Sequence, residues 1–145
     1  MESATPHIRR AVVVGGGLIG IEMVEMFHSR HIPVTFLVRE KSYWDFVLPP
    51  EESDMVNRHI REHGIDLRLD TELKEITDDG TGNAGAIITG KGERIDCQFV
   101  GLTVGVSPNI ALLRDSGIET NRGILVNEFL ETNVPDVYAA GDCAE

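Results

Sequence analysis

Basic residues are scarce in this chain: 13 Lys and Arg stand against 24 Asp and Glu, a formal net charge of -11 over 145 residues. A nucleic-acid backbone needs a basic face to displace its counterions, so this balance argues against such a partner. It also means that an anionic ligand must be held locally, by helix-end dipoles and a few placed cations, and not by the overall field. Long apolar runs are missing as well. No stretch approaches the ~20 residues that a membrane span needs. The opening Met1-Glu2-Ser3-Ala4-Thr5-Pro6 has no apolar core of a signal peptide. The two cysteines, Cys97 and Cys143, fit neither C-x-x-C spacing nor a disulfide framework, which points to a reducing, cytoplasmic compartment. Cys97 reads as a small buried hydrophobe, and Cys143 has no second thiol near it in sequence.

No acid, base and nucleophile constellation stands out, so no catalytic residue is assigned. His59 and His63 share a helical face, but Ile60-Arg61-Glu62 between them breaks the H-E-x-x-H order. They read as structural or solvated, and no metal ligand is expected. His28 and His31 fall in the last turn of a helix, where partial positive charge suits the dipole.

What is present is ordinary for a globular domain, 41% hydrophobic and 26% charged residues. Residues 1–7 read as a disordered lead and 8–145 as one domain. The most informative segment is Ala11-Val12-Val13-Val14-Gly15-Gly16-Gly17-Leu18-Ile19-Gly20. It is G-x-G-x-x-G directly after a strand (8–14) and at the start of a helix (18–31), the context that gives this motif its weight. Gly15 permits the sharp turn, Gly17 lets a pyrophosphate approach the backbone, and Gly20 lets the helix pack on the strand. The free N–H groups of the helix start then face the anion.

Pro33 precedes Val34–Val38, an apolar β-branched strand, which completes a strand–helix–strand unit with a parallel crossover. Pro49-Pro50 and the acidic Glu51, Glu52 and Asp54 start a second helix that runs to about His63, with Gly64 as its stop. Ile65–Asp70 alternates as a half-buried strand. Over 72–97, turn signals at Asp78-Asp79-Gly80-Thr81-Gly82 and Gly90-Lys91-Gly92 separate three short antiparallel strands. A buried strand follows at 99–104, then a short helix through Arg114, with further strand candidates at 123–126 and 136–140. The fold class is α/β: a Rossmann-like parallel sheet with a three-stranded antiparallel meander as crossover, in three ββα layers.

The order of these elements, with Gly105-Val106-Ser107-Pro108-Asn109 and Thr132-Asn133-Val134-Pro135-Asp136-Val137-Tyr138-Ala139-Ala140-Gly141-Asp142, resembles the pyridine nucleotide–disulfide oxidoreductase family. The resemblance implies an NAD(P)H-binding domain that normally sits within a larger FAD-binding domain and passes hydride to the flavin. Gly141-Asp142-Cys143-Ala144-Glu145 is most similar to NADH oxidases, CoA-disulfide reductases and nitrite or rubredoxin reductases. By this resemblance Gly15, Gly16, Gly17, Leu18, Ile19 and Gly20 form the pyrophosphate cradle. Glu22 lies near the nicotinamide carboxamide, or else only shares a solvated stripe with Glu25. Gly105, Pro108 and Asn109 form the loop over the nicotinamide. Asp142, within a remnant of the flavin motif at 135–145, is the residue that would meet FAD.

Val38 occupies the register where NADH-specific domains place an acid for the ribose 2′-OH. Arg39, with Lys41 beyond it, could pair instead with a 2′-phosphate, which favours NADPH. Glu40 between them opposes a phosphate if it points inward, and both cations could equally be solvated loop charges. Tyr43, Trp44 and Phe46 either cover an adenine or close the edge of the core. With one G-x-G-x-x-G, the chain reads as an excised domain or a stand-alone relative, inactive alone. In the full-length protein the expected partners are the flavin domain of the same polypeptide and further copies of it in a homo-oligomer. A different class stays open: a non-catalytic module that senses the NAD(P) redox state.

Overall fold

The computed structural model describes residues 7–145, so of the lead expected at 1–7 all but His7 lies outside the described residues. In chain order the elements are β1 (Ala11–Val14), α1 (Leu18–His28), β2 (Val34–Leu37), α2 (Pro50–Glu62), β3 (Asp66–Arg68), β4 (Leu73–Asp78), β5 (Ala84–Thr89), β6 (Arg94–Asp96) and β7 (Phe99–Leu102). Four strands pair in parallel in the order β3-β2-β1-β7, with Ala11 opposite both Val34 and Phe99. β4, β5 and β6 form a separate antiparallel meander.

All four residues of β1 are buried, because the parallel sheet is covered on both faces. Strand alternation sorts them. Ala11, Val13, Val34 and Phe36 pack with Val24 and Phe27 of α1 and Ile60 of α2. Val12, Val14 and Leu37 pack instead with Ile87, Ile95 and Cys97 from the meander. The result is the three-layer arrangement of helices, parallel sheet and meander. Cys97 is fully buried in the meander-side core, where desolvation pushes its thiol pKa up.

Helix ends follow local chemistry. α1 stops at His28, short of 31, because the chain closes in a Schellman turn. The amide of Ile32 bonds the Phe27 carbonyl, that of His31 bonds the His28 carbonyl, and His31 takes a φ of 57°. α2 begins with Pro50 after Pro49, carries Glu51 and Glu52 in its first turn, and ends before Gly64 at a φ of 75°.

Two compact units are distinguished among the described residues, 7–105 and 106–145. The second unit holds one 3₁₀ turn, Ala111–Leu113, in place of the expected short helix. The strand candidates at 123–126 and 136–140 do not form. Ile124 makes single bridges to Thr120 and Ala144, and Glu131 bridges Tyr138. Only Gly123, Thr132 and Ala139 are buried in this unit, too little apolar cover to organise a sheet. Its backbone groups pair locally instead, as in Leu125 N–H to the Glu119 carbonyl.

Candidate dinucleotide-binding site

Val14, Leu37 and Leu102 end three adjacent parallel strands, so the chain leaves the sheet at one carboxyl edge, where α/β sheets hold their ligands. Gly15 turns the chain there with a φ of 117°, and its amide donates to the Leu37 carbonyl at 3.0 Å. A Cβ on Gly15 would run into the Thr103 carbonyl, and one on Gly20 into the Gly15 carbonyl. These two glycines are therefore required by the protein itself. Gly17 is different: a Cβ there meets nothing within 4 Å among the described residues beyond its chain neighbours. Gly17 also caps the start of α1, where no side chain bonds the free amides. The helix thus presents unsatisfied N–H groups and partial positive charge, behind a residue whose missing side chain leaves open space.

That space belongs to a cleft of about 940 Å³ within the first unit. Gly15, Gly16, Gly17, Leu18 and Ile19 line one part of it, Arg39 and Glu40 another, and Gly105 a third. The remaining predicted residues lie elsewhere. Gly20 is buried beneath the turn, and Glu22 is exposed on α1. Val38 is 1% exposed and packs into the helix-side core, where its Cγ1 would lie 2.9 Å from a Cβ on Gly16. Pro108, Asn109 and Asp142 belong to the second unit. There Asn109 Oδ1 accepts the Ala111 amide at 3.4 Å, and Asp142 is exposed.

The charged end of β2 is the electrostatic feature of the cleft. Arg39 Nε donates to Glu40 Oε1 at 2.7 Å. This bond, with the Coulombic pull of Glu40 and, more weakly, Glu72, raises the guanidinium pKa further above its ordinary value. Arg39 stays 75% exposed, so the pair is solvent-screened. Lys41 is exposed and helps hold the Asp70 carboxyl below its ordinary range, after the larger effect of Lys91.

Further contributors carry no local motif in the sequence. Thr103 Oγ1 donates to the carbonyl of Val14 at 2.9 Å and reaches that of Gly15 at 3.2 Å, and its amide donates to Val14 at 2.8 Å. It clamps the glycine turn to β7. Its signal was topological: parallel pairing of β7 with β1 sets the residue after β7 beside the one after β1. Thr71, Glu72 and Leu73 also line the cleft, brought in by the start of the meander with no local motif. Of the three aromatic residues, Trp44 and Phe46 line the cleft, whereas Tyr43 is buried in the core. His59 and His63 have ring centroids 4.3 Å apart, and among the described residues no His, Cys, Asp or Glu group is arranged to hold a metal. No helix among them is long and apolar enough to cross a membrane.

A glycine turn at the head of a helix, on a parallel sheet backed by a meander, defines a Rossmann-like α/β architecture. The chain belongs to the pyridine nucleotide-disulphide oxidoreductase family, whose model matches residues 2–145. It is 34% identical over 144 residues to a nitric oxide reductase FlRd-NAD(+) reductase of Salmonella schwarzengrund, covering 99% of this chain and 38% of that protein. It is 35% identical over 138 residues to a rubredoxin-NAD(+) reductase of Acinetobacter baylyi, covering 94% of this chain and 35% of that one. A solved FAD-dependent pyridine nucleotide-disulphide oxidoreductase from Desulfovibrio vulgaris superposes with a TM-score of 0.88 at 29% identity, over 96% of this chain and 35% of the other. The chain therefore spans little more than a third of the length of these relatives.

Proposed function

We propose that the cleft binds NAD(P)H, with its diphosphate on the free amides at the start of α1 and its adenosine ribose towards Arg39 and Glu40. The observation that carries this reading is Gly17. Apart from its chain neighbours, nothing among the described residues comes within 4 Å of the place of its side chain, so the glycine serves a group from outside. That group is an anion, because it meets uncapped helix amides. In a longer protein like the relatives, bound NAD(P)H would supply a hydride to FAD, with Asp142 as the residue assigned to the flavin. The first unit's part is to orient the coenzyme and to shield it from water. Glu22 and Gly105 of the first unit are proposed for the nicotinamide end, following the family pattern.

Arg39 makes NADPH the favoured coenzyme. A 2′-phosphate carries more charge than the Glu40 carboxylate and offers three acceptor oxygens, so it competes for the guanidinium. Glu40 lines the same cleft and limits the preference through repulsion. Calorimetric titration with NADPH and NADH, for the parent and for Arg39→Ala, tests both parts. NADPH affinity should fall by ~1 kcal/mol or more in the variant, with NADH unchanged. A fall below ~0.5 kcal/mol overturns the 2′-phosphate assignment. No binding of either coenzyme by the parent overturns the site.

A further inference from the structure

The buried stripe of α2 is polar where a core helix is ordinarily apolar. Its three buried residues are Ser53, Asn57 and Ile60, and the first two bond mainly outside the helix. They are 0% and 3% exposed. The Tyr43 amide donates to Asn57 Oδ1 at 3.0 Å. Asn57 Nδ2 donates to Ser42 Oγ at 2.6 Å, with a longer bond of 3.4 Å to Asp54 Oδ1. Ser53 Oγ donates its one proton to the Tyr43 carbonyl, so in its 2.5 Å contact with Ser42 Oγ the donor is Ser42. Four bonds thus close a ring from the Tyr43 N–H round to the Tyr43 C=O. Each donor feeds the next acceptor, an arrangement in which hydrogen bonds strengthen one another.

Polar groups buried in this way carry a desolvation cost that apolar side chains avoid, so stability does not explain the stripe. What it produces is a fixed loop. Trp44, next in the chain, takes a φ of 57°, which a bulky residue adopts only when its surroundings impose it. Its carbonyl accepts the amides of Val47 and Leu48 at 2.9 and 2.8 Å, and its ring packs against the helix-side core. Trp44, Phe46 and Val47 line the cleft that contains Gly15–Gly17, whereas among the described residues none of α2 does. The near end of the loop is held by other bonds. Val38 N–H donates to the Arg68 carbonyl at 2.9 Å, Thr71 N–H to that of Val38 at 3.1 Å, and Asp70 N–H to that of Glu40 at 2.8 Å. Arg39 therefore keeps its place without α2.

Resting on the dinucleotide reading above, we infer that Ser53 and Asn57 are positioning residues for coenzyme binding. From outside the cleft they hold 42–48 as a wall shaped before the coenzyme arrives, so little order has to be created on binding. The wall serves the part of the molecule that NADH and NADPH share, while Arg39 distinguishes them.

The test titrates NADPH and NADH into the parent, Ser53→Ala and Asn57→Leu, following calorimetric heat and the emission of Trp44, the only tryptophan of the chain. Ser53→Ala removes one hydroxyl with little change of shape, and so answers the question even if Asn57→Leu does not fold. Both variants should weaken NADPH and NADH alike, about five- to tenfold, the effect of ordering one or two side chains on binding. In the free variants Trp44 emission should move to longer wavelength as the loop loosens. Saturation with either coenzyme should return it to that of the parent, a response that a merely structural role does not produce. Parent-like affinity with a lowered melting temperature overturns the positioning role, and so does weakened binding with unchanged emission. Weakening of NADPH alone would put the effect on Arg39 and overturn the inference that the wall serves both coenzymes. Failure of the parent to bind either coenzyme overturns the dinucleotide reading itself, and this role with it.

Discussion

Replacing Gly17 with alanine separates what the protein needs from what its ligand needs. The backbone at Gly17 has φ -88° and ψ -177°, extended values that alanine adopts freely, and among the described residues the added methyl meets no atom within 4 Å beyond its chain neighbours. The cost to the fold is the poorer helix-capping of alanine, about 0.5–1 kcal/mol, offset by a similar loss of unfolded-chain entropy. The net change should stay within about 0.5 kcal/mol, a melting shift of roughly 1–2 °C for a chain of this size. Binding should suffer far more. A hydrogen bond from an amide to a charged group contributes about 1.5–3 kcal/mol, and a methyl that holds the diphosphate away weakens two of them. The expected loss is about 2–4 kcal/mol, or roughly 30- to 1000-fold in affinity. Thermal melting and calorimetric titration with NADPH on the same preparation read both numbers. A variant that melts like its parent and binds within about threefold of it refutes the reasoning. Gly20→Ala is the contrasting control, since its methyl strikes the Gly15 carbonyl and should lower the melting temperature itself.

Glu40→Gln frees Arg39 from a screened pair 2.7 Å long and removes a charge from the cleft wall, so NADPH affinity should rise up to about fivefold while NADH is unmoved. Equal response of the two coenzymes would show that Glu40 does not act on a 2′-phosphate. Thr103→Val removes the hydroxyl that clamps Val14 and Gly15, at about 1 kcal/mol of stability, read as a melting drop of a few degrees with weaker coenzyme binding. An unchanged melting curve contradicts the clamp. Burial, with a smaller contribution from Glu25, pushes the Tyr43 phenol up to about 12. Its stabilising effect is present below the ordinary value near 10 and is lost as pH rises towards 12, on the order of 2 kcal/mol in total. A Tyr43→Phe variant should lack that part of the alkaline destabilisation, and equal alkaline melting curves for variant and parent would remove the attribution.

The sheet and its glycine turn were legible because several local signals agree at each point. Val12–Val14 is buried on both faces, Gly15 takes a positive φ, and the helical period starts at once. The meander was legible from its turns, where Asp79 Oδ1 accepts the Thr81 amide at 2.8 Å. Period-two alternation also carries information that residue types obscure: Val38 is in phase with Val34 and Phe36, and it joins them in the helix-side core. Thr103 and Glu72 carry no motif and reach the cleft only because strand order and the meander bring them there. The segments 123–126 and 136–140 have strand-like composition, but a strand also requires a neighbour and an apolar cover, which 106–145 does not supply. The pairing of Arg39 with Glu40 was likewise beyond composition, since adjacent opposite charges can as easily face apart.

Amide NMR of the labelled chain during titration with ADP-ribose interrogates the helix start directly. Binding there moves the N–H resonances of Gly17, Leu18 and Ile19 most and in proportion to occupancy. Saturation that leaves those three signals in place, while others shift, would contradict it.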